Sequence, residues 1–332
     1  MNRYELITRN LQEVIGRDEL KSLIKSKKKI SLYWGTMPTG SPHFAYFLPL
    51  LKIRDFLKAK VNVKILIADL HAALNGIPWE ILEKRQAYYE ALFPEMLKAL
   101  GVSTKQLEFV KGSKLQLNPK YFEDVLKMSM QATTKDTTKA ASEVVKITET
   151  PKLGNLVYPI MQALDEEHLK VDIQFGGLDQ RKILVFAREF LPKINYKPRI
   201  ELMNPMMSGL TGEKMSASVP SSKIDILDDE ETVARKVKKA DFPPKDTNCG
   251  IMQWLKYIIF PILDKKSLKI ERDKKFGGNL SIKSYDELED IVKTGKVHPL
   301  DIKIAVAREI NNLLSKVQSP KLTKLHKAAY LV

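Results

Sequence analysis

Tyr158, Gln162 and Asp165 recur at i, i+4 and i+7, so on a helix a phenol, an amide and a carboxylate leave from one face. Pro159 is tolerated in a first helical turn, which places the expected start of that helix at about Tyr158. A buried strand is expected over residues 169–175. Gly176-Gly177 then breaks it ahead of Asp179, Gln180, Arg181 and Lys182 on a further helix. Polar groups from two helices would meet at the carboxyl end of a strand, where open α/β sheets bind ligands. Read without its neighbours, the stretch has a plainer meaning: Asp165-Glu166-Glu167 is a solvated acidic run and the glycines are an ordinary turn.

Two more stretches could carry chemistry. Residues 30–33 read as a short buried strand leading into Tyr33-Trp34-Gly35-Thr36. Pro38-Thr39-Gly40-Ser41-Pro42 must be a loop, and His43-Phe44-Ala45-Tyr46 opens a helix that runs to about residue 60. Strand, glycine-containing loop and helix amino terminus together offer unpaired backbone amides to a phosphate. A histidine at a helix start also serves simply as a cap or a packing residue. Farther on, residues 202–218 surround Lys214 with small, flexible residues, which suits a loop that closes over a charged group. An incidental surface lysine is the plain alternative there.

The elements around these stretches must position them. Residues 63–68 read as a second buried strand, closing on Asp69-Leu70-His71. A long amphipathic helix over 79–100 and a third strand over 107–110 follow. That alternation argues for a parallel, doubly wound sheet, resumed at 169–175 and 200–203. Residues 111–155, rich in Lys, Thr and Ser, interrupt it as a helical insertion. At the amino terminus, Leu6, Ile7, Leu11, Val14 and Ile15 make one apolar helix face, and Leu20, Leu23 and Ile24 another. Beyond 226 the pattern is helical over 230–240, 249–263, 285–294, 301–315 and 322–330, with no strand alternation. A basic connector over 265–283 contains Phe276-Gly277-Gly278-Asn279, and His298-Pro299-Leu300-Asp301 supplies a cap and a first-turn proline.

The formal charge of +15, from 55 basic against 40 acidic residues, points to a polyanionic partner. A single cysteine, Cys249, excludes an internal disulfide framework and a Cys-built metal site. The longest apolar run, 254–263, is broken by Lys256 and Pro261, so no bilayer span and no membrane partner are expected. Met1-Asn-Arg-Tyr-Glu lacks a signal core, and a cytoplasmic location fits best.

With these stretches in view, the chain resembles the class I tyrosyl-tRNA synthetases of the eukaryotic cytosolic and archaeal type. His43-Phe-Ala-Tyr46 matches the "HIGH" signature and Lys214-Met215-Ser216-Ala217-Ser218 matches "KMSKS". Tyr158-Pro-x-x-Gln162-x-x-Asp165 and Gly176-Gly177-x-Asp179-Gln180-Arg181-Lys182 match the family's tyrosine-binding segment. Ala68-Asp69-Leu70-His71, Phe276-Gly-Gly and His298-Pro-x-Asp301 extend the match over nearly the whole chain.

The resemblance implies a Rossmann-type sheet domain over 1–226, with the helical insertion at about 111–155. An α-helical anticodon-binding domain would follow over 227–332, with no appended module after it. It implies activation of L-tyrosine with ATP to tyrosyl-adenylate and pyrophosphate, then transfer to tRNA(Tyr), in a homodimer formed through the insertion. Tyr33, Asp165, Tyr158, Gln162, Gln180 and His71 would bind tyrosine. Gly35, Gly40, His43, Gly176, Gly177, Asp179, Lys214 and Met215 would bind ATP, and His43, Tyr46, Lys214, Ser216 and Ser218 would serve catalysis. Lys139, Arg181, Phe276, His298 and Asp301 would contact tRNA. Mg2+ would come with ATP, since no carboxylate cluster marks a protein-built metal site.

Tyr46 and Ala217 depart from the two signatures, which concentrates the phosphate role on His43 and Lys214. Two neighbouring readings stand beside this one. Tryptophanyl-tRNA synthetases share the subclass, but Tyr33 and Asp165 suit a phenol. A non-catalytic tRNA-binding paralogue would not need His43, Lys214, Asp165 and Gln180 together. Without the resemblance, Phe276 reads as core and His298 as a helix start.

Overall fold

The computed structural model describes residues 1–26, 29–104, 107–144, 150–212, 215 and 222–330. The chain forms two compact units. The first comprises 1–39, 52–90 and 103–206; the second comprises 40–51, 91–102 and 207–332.

Six strands build the sheet of the first unit: β1 (Glu13–Ile15), β2 (Ile30–Thr36), β3 (Val61–Ile67), β4 (Leu107–Lys111), β5 (Ile173–Gly177) and β6 (Ile200–Asn204). Their spatial order is β1-β6-β5-β2-β3-β4. Strands β2 to β6 run parallel, and β1 pairs antiparallel with β6. Taken alone, the parallel strands stand in the order of a Rossmann-type sheet, reversing direction between β2 and β5. Leu32, Val63, Ile65, Ile67, Ile173, Phe175 and Leu202 are buried, as a sheet covered on both faces requires.

The reversal point aligns Tyr33 with Gln174, and Gln174 with Glu201 on the next strand. Residues paired in register on parallel strands project to the same face. Lys64 on β3 and Glu108 on β4 continue the row, so five polar side chains stand in register on one face, Tyr33, Gln174 and Glu201 buried among them.

Helices Gly112–Gln116, Pro119–Ser129 and Thr134–Ala141 fill the expected insertion. Asn118 caps the second of these, with Pro119 in its first turn, and Thr133 forms a capping box with Asp136 on the third. Their apolar faces pack with Ile160, Leu164, Ile183, Phe186 and Phe190 in one core.

Three sequence expectations need correction. Val14 and Ile15 belong to β1, not to a helix face; Val14 pairs with Leu202. A three-residue strand is too short for its alternation to compete with a helical reading. The helix carrying Asp165 begins at Leu153, not at Tyr158, so Pro159 lies inside it. Pro159 has no N–H for the Asn155 carbonyl, a loss that the surrounding core offsets. The second unit is not wholly helical either: β7 (Leu268–Ile270) and β8 (Leu280–Ile282) pair antiparallel and bury Leu268, Ile270 and Ile282. Helices follow expectation at Glu230–Lys239, Tyr285–Lys293, Pro299–Leu314 and Pro320–Tyr330. The expected helix over 249–263 is α-helical at Gly250–Trp254 and Phe260–Leu263 with a π-helical turn, Leu255–Ile259, between them.

Candidate active site

Within the first unit, four elements converge on Asp165. Its carboxylate is buried, 1% exposed. Gln116, at the end of helix Gly112–Gln116, donates from Nε2 to Asp165 Oδ1 at 2.8 Å. The Tyr121 hydroxyl stands 2.8 Å from the same oxygen and 2.6 Å from the Met161 carbonyl. Burial pushes the Asp165 carboxyl up to about 7, against the pull of the Gln116 and Tyr121 hydrogen bonds. The reading of residues 165–167 as a solvated run therefore fails at Asp165 and Glu166, both of which are buried.

His71 lies on the helix Asp69–Leu74, directly after β3. Burial lowers its imidazole to about 4, which keeps the ring neutral at physiological pH. Gln116 Nε2 lies 3.2 Å from His71 Nδ1, so its second N–H can donate there. That arrangement leaves the His71 proton on Nε2, 4.0 Å from Asp165 Oδ2. One amide thus orients both a carboxylate and an imidazole.

Tyr33 is buried at the reversal point and donates from its hydroxyl to the Gln162 carbonyl at 3.3 Å. Its pKa is raised by burial first, then by the Asp165 carboxylate, so it stays a phenol. Tyr158 is buried with its ring edge-to-face on His71, centroids 4.6 Å apart, and its hydroxyl meets Met37 Sδ at 3.4 Å. Gln162 Nε2 donates to Gln180 Oε1 at 3.2 Å. All six residues expected to meet an amino acid lie in this unit, in two contacting sets: Tyr33, Gln162 and Gln180, and Tyr158, His71 and Asp165.

Gly176 and Gly177 end β5, beside the Asp179 and Gln180 side chains. A Cβ on Gly177 would come within 2.5 Å of Asp179 Oδ1, and one on Gly176 within 3.2 Å of Gln180 Cγ. Gly35 is exposed near the end of β2, against the Tyr33 ring. Glu166 and Glu201 are fully buried, and neither oxygen of either carboxyl meets a donor. Burial raises both well above the ordinary range, and the Glu166 charge further raises Glu201.

The second unit holds the "HIGH"-type residues. His43 is buried at the entry to a short turn, Phe44–Tyr46, which leads into helix Phe47–Lys58. Its ring meets Tyr46 edge-to-face at 5.1 Å, and Tyr46 stacks on Phe93. Gly40 is buried in the preceding loop and Met215 is buried. Lys214, Ser216 and Ser218 lie outside the described residues. Among the described residues, no group of three or more His, Cys, Asp or Glu side chains could hold a metal ion.

Of the candidate tRNA contacts, Lys139 is exposed on helix Thr134–Ala141. Arg181 is exposed and forms two hydrogen bonds with Glu13, at 2.7 and 3.0 Å. In the second unit, Phe276 is 63% exposed, so it is not a core residue. Gly277 and Gly278 follow it at φ +94° and +74°, a left-handed turn that other residues resist. His298 does cap helix Pro299–Leu314, its Nδ1 accepting from the Leu300 amide at 3.2 Å, and Asp301 sits in that first turn.

Gln116 and Tyr121 were not legible as site residues. A lone glutamine and a lone tyrosine in a polar helical stretch carry no spacing signal. Only the turn between their helices brings both to one carboxylate.

Residues 25–315 match the model of the tRNA synthetases class I (W and Y). The chain is 49% identical over 335 residues to the cytoplasmic tyrosine–tRNA ligase of Gallus gallus, covering 99% of this chain and 63% of that one. It therefore spans less than two thirds of the length of its vertebrate relatives. It is 44% identical to the cytoplasmic tyrosine–tRNA ligase of Saccharomyces cerevisiae, covering 95% of this chain and 83% of that one. Among solved structures, the tyrosyl-tRNA synthetase of Archaeoglobus fulgidus complexed with L-tyrosine superposes with a TM-score of 0.88. It is 38% identical, covering 95% of this chain and 97% of that chain.

Proposed function

Since the chain belongs to the tRNA synthetases class I (W and Y), we propose that it is a tyrosine–tRNA ligase acting in the cytoplasm. The observation that carries this reading is the buried Asp165 beside Tyr33, oriented by Gln116 and Tyr121 at the sheet reversal point. A phenol hydroxyl is the group that such a pair recognises. Tyr158, Gln162 and Gln180 would hold the substrate ammonium group. Phenylalanine, entering instead, would leave Tyr33 and Asp165 unpaired at about 1 to 3 kcal/mol for each group. Its rejection is a known trait of tyrosyl-tRNA synthetases as a class.

The tyrosine carboxylate attacks the α-phosphorus of ATP. A carboxylate–phosphorus bond forms, the bond to the bridging oxygen breaks, and pyrophosphate leaves with the electron pair. A hydroxyl of the terminal ribose of tRNA(Tyr) then attacks the mixed anhydride and AMP departs. Neither step needs a covalent enzyme intermediate, so catalysis consists of positioning and charge stabilisation. His43, Lys214, Ser216 and Ser218 take the phosphate roles, and Gly176, Gly177 and Asp179 take the adenosine. Mg2+ would arrive on the ATP phosphates.

Lys139 and Arg181 would meet the acceptor end of the tRNA. Arg181 would exchange Glu13 for that partner. Phe276 would stack on an unpaired anticodon base, with His298 and Asp301 beside the base edge in the domain over 227–332. Leu117, Phe122, Leu126 and Met130 are exposed on and beside helix Pro119–Ser129, an apolar surface that a second copy would cover in a homodimer.

ATP–pyrophosphate exchange with tyrosine, tryptophan and phenylalanine tests the activity. Tyrosine-dependent exchange is expected. Exchange with tryptophan alone would move the assignment to the sister specificity. No exchange in folded protein that binds tRNA would leave a binding paralogue.

A further inference from the structure

The loop over 37–43 delivers His43. Pro38 and Pro42 lack N–H groups, and the backbone bond within it runs from the Thr39 amide to Met37 O. Consecutive carbonyls of the loop instead accept from residues distant in sequence. The Tyr330 hydroxyl, at the end of helix Pro320–Tyr330, donates to Gly40 O at 3.0 Å. Lys223 Nζ donates to Ser41 O at 3.0 Å and pairs with Asp225 Oδ2 at 3.1 Å. The Ile226 amide lies 3.4 Å from Pro42 O, and the Phe44 amide donates to Ile224 O at 2.9 Å. His43 and Asp225 themselves form an antiparallel bridge.

Lys223 is 6% exposed, an unusual place for a lysine unless its ammonium is bound on specific partners. It stands five residues beyond the signature ending at Ser218, on the segment bridged to the histidine loop. That segment is tied down from its far side. Gln318 donates to Ile226 O at 3.0 Å and to Asp228 O at 2.8 Å, and Lys236 pairs with Asp228. The His326 ring lies 5.1 Å from that of Tyr330, on the same helix.

We infer that Lys223 and Tyr330 form a clasp on the Gly40–Ser41 backbone that sets where the His43 imidazole stands. They are positioning residues: neither is assigned to substrate, and each acts through the backbone of the loop. The clasp joins the loop that precedes the first signature to the segment that follows the second, and enlists the last described helix to hold them. The inference rests on the adenylation reading above, since it assigns the clasp to phosphate chemistry. A clasp of this kind affects the reaction with ATP and leaves amino-acid binding alone.

The test pairs tyrosine binding measured by calorimetry without ATP against tyrosine-dependent ATP–pyrophosphate exchange. It uses the full chain and the variants Lys223→Met, Lys223→Arg and Tyr330→Phe. Lys223→Met is expected to lower the exchange rate by about tenfold through misplacement of the loop, with the tyrosine dissociation constant unchanged. Lys223→Arg, which keeps charge and donors, should recover most of the rate. Tyr330→Phe removes one oxygen and should cost about threefold. If Lys223→Met does not fold, Tyr330→Phe decides alone. Exchange at the parent rate in folded Lys223→Met and in Tyr330→Phe would overturn the inference. So would a loss of tyrosine affinity that matches the loss of exchange, which marks general loosening. A parent protein that binds tyrosine and exchanges no pyrophosphate would overturn the adenylation reading, and this inference with it.

Discussion

The pocket around Asp165 and the loop that carries His43 are built by opposite means. In the first, buried side chains from separate elements fix one another: Gln116 and Tyr121 hold Asp165, and Gln116 also orients His71. In the second, distant side chains and backbone groups fasten the backbone of the loop, and the histidine follows it. The first plan suits selection between substrates that differ by one oxygen, because every polar atom left unmatched is costly in a buried site. The second suits phosphate chemistry, where charge must stand at the right distance from a bond that breaks. Damage to the pocket should therefore change which amino acid reacts, and damage to the loop should change how fast.

The sharpest way to break that contrast is Asp165→Ala. Tyrosine-dependent exchange should fall about 100-fold, since a hydrogen bond to a charged group is lost and the Gln116 N–H is stranded, while the Tyr121 hydroxyl keeps the Met161 carbonyl. Kinetics at saturating ATP would show the loss in the tyrosine KM as well as in kcat. A change confined to the ATP KM would contradict the division of labour. Tyr33→Phe should raise the tyrosine KM about tenfold and leave the ATP KM unchanged.

A pH series separates the regions by a different route. Asp165 titrates near 7 in the free protein because burial raises it. Only its carboxylate form accepts fully from a phenol, so tyrosine affinity should fall as the pH drops through about 7. Gln116→Leu removes a hydrogen bond that favours the carboxylate, so the midpoint should move to higher pH. Calorimetric titrations across pH would check the sign; a downward shift would contradict the role given to Gln116.

The smallest effect concerns stability. The pKa of Glu201 is raised in the folded state by burial, then by Glu166. The native state therefore binds more protons than the unfolded chain above the ordinary glutamate range, and stability falls as pH rises there. Glu201→Gln should flatten this dependence in urea midpoints measured from acidic to neutral pH, with exchange kinetics little changed.

Much of the candidate site was legible because its residues follow a period or sit beside a breaker. Tyr158, Gln162 and Asp165 keep helical spacing, and Gly176-Gly177 marks the end of a buried strand. The parallel sheet was legible from apolar runs of ordinary length. Strands of three residues, at Val14 and around Leu268 and Ile282, were not, because so short an alternation is indistinguishable from a helix face or a connector. Pro159 misled the reading of its helix start, since tertiary packing tolerates what local propensity forbids. Gln116, Tyr121, Lys223 and Tyr330 were invisible for a shared reason. Each acts through contacts with residues distant in sequence, and Lys223 is one among many lysines.

The central claim is that Asp165 reads the phenol, and the tyrosine-to-phenylalanine ratio of kcat/KM in ATP–pyrophosphate exchange tests it most directly. The parent protein should prefer tyrosine strongly, and Asp165→Asn should lose most of that preference while keeping residual exchange. An Asp165→Asn protein that stays as selective as the parent would contradict the account.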